Sequence, residues 1–128
     1  MKLHHAAVVC ASQENADRFY GGVLGLEKMK TQILGTDLSS QIFGISSECE
    51  MILYGRKDLA IEVFIPPRTP QQTRGCAHLC LQVENRETFL RACGAAGLAI
   101  KKISKGASWV VFLEDYDGNL FEIKELPS

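Results

Sequence analysis

The apolar pattern of the chain changes period twice, and then does so again. A short, mostly apolar run over residues 3–10 predicts a strand. Then Ala16, Phe19, Tyr20 and Val23 recur at i, i+3, i+4 and i+7, which places them on one face of a helix. Ser12 is its predicted N-cap, Glu14 sits favourably in its first turn, and Gly25 ends it. Three further strands are expected at about 28–34, 49–54 and 59–65, the last two joined by a turn at Gly55-Arg56-Lys57-Asp58. A Pro- and Gln-rich polar stretch, residues 66–75, interrupts the pattern and reads as a linker. The second half repeats the plan with a strand over 76–83, Asn85 as helix cap, a helix to about Ala96, and strands near 99–104, 109–113 and 119–125. Asp117-Gly118-Asn119 supplies a tight turn between the last two.

The two halves also match residue by residue. A displacement of 73 positions lays His5 on His78 and the first helical stripe on Phe89, Ala92, Cys93 and Ala96; one deletion later, Gly25-Leu26 falls on Gly97-Leu98. Each copy opens with a histidine and closes with a glutamate on strand-like sequence, Glu62 in the first and Glu122 in the second. One imidazole and one carboxylate per copy can build a four-ligand metal site across a pseudo-symmetry axis. Strand parity permits it, because alternate residues face opposite sides. Glu62 lies with Ala60 and Phe64, opposite Ile61, Val63 and Ile65, and Glu122 with Leu120 and Lys124, opposite Phe121 and Ile123. His5 and His78 likewise oppose apolar residues, so all four can project away from the helices. A single strand histidine is more often a hydrogen-bonded structural residue; four groups at matching ends of matching units are the stronger signal.

Bulk properties narrow the partners. With 128 residues the chain has the size of one domain, and neither half of roughly sixty would bury an adequate core by itself. Fourteen basic against fifteen acidic residues, without a basic run, leaves no electrostatic footprint for nucleic acid or an anionic membrane. A small-molecule substrate fits better. The first ten residues lack the pattern of a signal peptide or a membrane span, and five cysteines without framework spacing read as reduced thiols, so a cytoplasmic location is expected.

Two segments carry a family resemblance. Phe19-Tyr20-Gly21-Gly22-Val23-Leu24-Gly25-Leu26-Glu27 resembles the FYxxVLGLE segment of the vicinal-oxygen-chelate superfamily, the group of glyoxalase I, methylmalonyl-CoA epimerase, extradiol dioxygenases and the bleomycin and fosfomycin resistance proteins. Glu114-Asp115-Tyr116-Asp117-Gly118-Asn119-Leu120-Phe121-Glu122 resembles its closing DPDGNxxE segment, with Tyr116 in place of proline. The resemblance spans essentially the whole chain. It implies an α+β fold of two βαβββ modules (about 1–66 and 75–128, linker 67–74) forming curved mixed sheets around a metal-binding cleft in a single glyoxalase-like domain, usually as a homodimer. His5, Glu62, His78 and Glu122 fill the four ligand positions of the glyoxalase I and epimerase arrangement. That implies one divalent ion (Ni, Co, Zn, Mn or Fe) and a lyase or isomerase acting on a small α-oxygenated carbonyl substrate through an enediolate-like intermediate. Glu122 is then ligand and base, with Glu62 its partner. Dioxygenases and thiol transferases of this fold use only the histidines and the last carboxylate, so Glu62 disfavours them.

One departure points toward a non-catalytic small-molecule binder instead. Bacterial glyoxalase I carries a glutathione-contacting arginine and asparagine where this chain has Val9 and Pro66. Neither side chain binds a carboxylate, and nothing in the sequence places Arg18, Arg68 or Arg74 to replace them. Other residues carry less. Cys76, His78 and Cys80 share a face but sit roughly 6 to 7 Å apart, too far for one compact zinc; His4 is expected on the helix side in a structural role; Phe64 and Trp109 fit sheet packing as well as a pocket wall.

Overall fold

The computed structural model describes residues 4–67 and 78–128. The predicted linker beyond Pro67, with Arg68, Arg74 and Cys76, lies outside them. The chain divides into two compact units, Met1–Gln72 and Thr73–Ser128.

The first unit runs β1 (Ala6–Val9), α1 (Gln13–Ala16, continuing as a wider π-type turn over Asp17–Val23), β2 (Glu27–Leu34), α2 (Thr36–Phe43), β3 (Cys49–Arg56) and β4 (Leu59–Ile65). Its four strands form a mixed sheet in the order β1-β4-β3-β2, with β1 parallel to β4 and the other pairs antiparallel. The second unit repeats that order as β5-β8-β7-β6, from β5 (Leu79–Val83), β6 (Ile100–Lys105), β7 (Ser108–Glu114) and β8 (Leu120–Glu125), with α3 (Arg86–Ala95) as its helix. The fold is α+β.

Local chemistry explains most boundaries. The Ser12 side chain accepts from Asn15 N at 3.1 Å and Asn85 from Thr88 N at 2.8 Å, so both expected caps form. Gly25, at φ +67°, takes the left-handed conformation that ends the first helix. Ala16, Phe19 and Tyr20 are completely buried as their spacing requires, although the backbone around them is wound wider than an α-helix, with Leu24 N donating to Phe19 O five residues back. In α3 the buried stripe is Leu90 and Cys93 rather than one running through Ala92, which is exposed; the larger Leu90 wins the core position over alanine.

Helix α2 is an addition to the expected plan. Its Leu38 is half exposed and its Ser39 fully buried. Between the sheet and α1, Ile52, Tyr54, Ile61 and Val63 make the core of the first unit; Val111, Leu113, Phe121 and Ile123 do so in the second.

Candidate functional site

The register shows what surrounds each predicted ligand. In the first sheet Glu62 lies between Ala7 on β1 and Leu53 on β3, and Leu53 faces Lys30 on β2. In the second, Glu122 lies between Cys80 on β5 and Phe112 on β7, and Phe112 faces Lys101 on β6. The two rows are equivalent, and each histidine sits one residue ahead of its first strand. Each unit therefore brings its own pair together: His5 Nε2 is 3.0 Å from Glu62 Oε2, and His78 Nε2 is 3.4 Å from Glu122 Oε2. The carboxylates are mostly covered, at 20% and 16% exposure, while the imidazoles are more than a third exposed.

These pairs have neighbours that hold them. His4 lies beside His5: the two Nδ1 atoms are 2.9 Å apart and the rings meet edge to face. That contact occupies Nδ1 of His5 and leaves Nε2 toward Glu62. In the second unit Phe112 packs edge-on against His78 at 5.4 Å between ring centroids. Lys124 Nζ lies 3.5 Å from Glu122 Oε1, so the two oxygens of this carboxylate face different side chains. Partial burial first, and then the Glu122 carboxylate, push the Cys80 thiol upward in pKa, which keeps it protonated at neutral pH.

Within each pair the two donors are of a kind that a divalent ion accepts. With bonds of ~2.1 Å, two ligands subtending 90° stand about 3.0 Å apart and two subtending 109° about 3.4 Å, which are the separations the two pairs show. Mixed nitrogen and oxygen donors suit first-row transition metals.

The flanks differ between the units. Phe64, two residues after Glu62, is buried with Leu34, Cys49 and Met51, with Leu53 packed against them, so an apolar wall borders that acid. Two residues after Glu122 the corresponding position is the exposed Lys124. Trp109 lies on the helix face of its sheet, opposite Glu122, and is 55% exposed. Val9 lies in β1 and Pro66 is buried, so the glutathione-contact positions carry no polar side chain.

Solved structures share this architecture along nearly the entire chain. The glyoxalase family protein from Enterococcus faecalis superposes with a TM-score of 0.72 at 18% identity, covering 95% of each chain. The genomically encoded fosfomycin resistance protein FosX from Listeria monocytogenes gives 0.73 at 14% identity, over 99% of this chain and 94% of its own. A variant of that FosX, solved with Mn(II) and 1S,2S-dihydroxypropylphosphonic acid, gives 0.69 at 16%, over 95% and 87%. The chain has the glyoxalase-like α+β fold of these structures. No protein-family model and no curated protein matches it. At such identities the vicinal-oxygen-chelate likeness fixes the architecture, and the chemistry has to be argued from the residues.

The residues missed by sequence reasoning are His4, Lys124 and Phe112. Parity already placed Lys124 on the face of Glu122, and the histidine doublet was visible; only the strand register could bring Phe112 beside His78.

Proposed function

We propose that the chain is a divalent-metal-dependent lyase or isomerase of glyoxalase or epimerase type, acting on a small α-oxygenated carbonyl compound, with His5, Glu62, His78 and Glu122 as metal ligands. The observation that carries this reading is the recurrence of one imidazole–carboxylate pair, at ligand spacing, on equivalent rows of both sheets. The Mn(II) held by the Listeria FosX variant supports a divalent ion on this scaffold. When bound, such an ion polarises adjacent substrate oxygens and acidifies the neighbouring C–H.

The chain's own groups do the rest. Glu122 takes the proton from one carbon and returns it to the next; its low exposure shields that proton from water. Glu62 is its counterpart in the first unit, and the wall of Phe64, Met51 and Leu53 excludes solvent beside it. His4 and Phe112 hold the ligand imidazoles in orientation.

Two measurements test this together. Elemental analysis should give one ion per chain, reduced in Glu62→Gln and in Glu122→Gln. Glu122→Gln should also lower turnover of an α-oxoaldehyde or an epimerisable thioester by about 100-fold or more, with circular dichroism unchanged. Full activity in that variant removes the assigned base. A second reading, a binder without turnover, is favoured by the apolar Val9 and Pro66; any product formed by the purified protein eliminates it.

A further inference from the structure

The two sheets differ where β7 meets β8. In the first unit the equivalent strands β3 and β4 pair continuously from Glu50↔Ile65 to Arg56↔Leu59. In the second, β7 and β8 pair only from Phe112↔Glu122 to Glu114↔Leu120. Beyond that point β8 stays with β5, through Leu81↔Ile123, Gln82↔Lys124 and Val83↔Glu125, while β7 stays with β6 through Ser104↔Trp109 and Lys105↔Ser108. The strands splay, and a cavity of about 270 Å³ opens between them.

Its lining is strongly biased in charge. Arg86, Lys105 and Lys124 face it, with Ser108, and the one acid among the lining residues is Glu122. The Arg86 backbone N donates to Glu125 Oε2 at 2.8 Å, and Nη1 reaches into the splay to donate to the Trp109 carbonyl at 3.5 Å. Among the described residues no carboxylate pairs with the Arg86 guanidinium or with Lys105, and Lys124 has Glu122 alone, at 3.5 Å.

We propose that this slot binds the compact oxyanionic group of the substrate, a phosphate-like or carboxylate group, with Arg86, Lys105 and Lys124 as its binding residues. The proposal rests on Glu122 belonging to the reaction site, since the slot ends at that carboxylate and would hold the reacting carbon close to it. A cavity of about 270 Å³ has room for a compact oxyanionic group. The first unit offers no equivalent, because the position of Lys124 is Phe64 there and the strands are zipped shut. The substrate is therefore expected to be an anion with its charge at one end.

The test is calorimetric titration of the full chain at low ionic strength, metal-free and Mn(II)-loaded, with sulfate as the tetrahedral probe and acetate as the planar one. Lys105→Gln and Lys124→Gln should each weaken binding of the preferred probe about tenfold or more, and Lys124→Arg should restore it. Lys101→Gln removes the same charge from the same sheet outside the slot and should leave the affinity unchanged. Binding of neither probe by the wild-type chain overturns the proposal, as does an equal loss in all three glutamine variants. A chain that binds no metal, yet loses sulfate only in Lys105→Gln and Lys124→Gln, keeps the slot and discards the metal reading. Preference for sulfate assigns a phosphate-like group and preference for acetate a carboxylate.

Discussion

Tyr54→Phe should destabilise the chain at neutral pH and do so far less in acid. Tyr54 is 1% exposed on β3, and its hydroxyl donates to Asp17 Oδ1 at 2.7 Å, tying the sheet to the helix that covers it. Phenylalanine keeps the ring and its contact with Tyr20, so the loss is confined to one hydrogen bond. Hydrogen bonds to charged groups contribute about 1.5–3 kcal/mol. Asp17 is 42% exposed and keeps Lys28 Nζ at 2.8 Å, so its carboxylate is not stranded and about 1–1.5 kcal/mol is the expected cost. Burial, the largest influence, raises the Asp17 pKa, but hydrogen bonds from Lys28 and Tyr54 together bring it below the ordinary 3.8. Burial first, and then the Asp17 carboxylate, push Tyr54 above its ordinary 10.0. A lowered acid contributes stability above its unfolded pKa and loses it as the pH falls through the folded one; a raised phenol contributes below its unfolded pKa and loses it on the alkaline side. The difference between wild type and variant should be constant from about pH 5 to 9 and shrink near pH 3. Urea unfolding followed by circular dichroism measures it. Equal midpoints at pH 7, or an undiminished gap at pH 3, would refute the reasoning.

Asp115 is 5% exposed and accepts from Asp117 N, Asn119 N and Asn119 Nδ2 at 2.9, 2.8 and 2.7 Å. Asp115→Ala strands these donors and should cost about 3 kcal/mol in thermal unfolding; a loss under about 1 kcal/mol would show that the turn holds without it. The Tyr116 hydroxyl donates to Ala96 O at 2.7 Å just beyond the end of α3. Tyr116→Phe should cost about 1 kcal/mol and speed amide exchange in the last turn of α3, where unchanged exchange would contradict a tethering role.

Much of the fold was legible because its signals are local. Parity on β4 and β8 put bulky side chains opposite Glu62 and Glu122, and the sheets bury Ile61, Val63, Phe121 and Ile123 on that side. Helix α2, an eight-residue segment between two strands, was not among the expected elements. In the site, spacing alone could nominate His5, Glu62, His78 and Glu122, and the register then brought each histidine to its own glutamate. The slot between β7 and β8 was invisible to any pattern, since splaying is a relation between strands and Trp109–Val111 alternate like any paired segment.

The contrast between Phe64 and Lys124 bears on how such a chain can evolve. A pocket assembled from two identical single-copy subunits must carry the same side chain at both symmetry-related positions, so any gain at one is imposed on the other. Covalent fusion of the copies releases that constraint. Here one descendant position became hydrocarbon filling and the other an ammonium group at a carboxylate's edge. Inherited symmetry supplied the matched histidine–glutamate pairs, and the freedom to break it gave each pair a different flank.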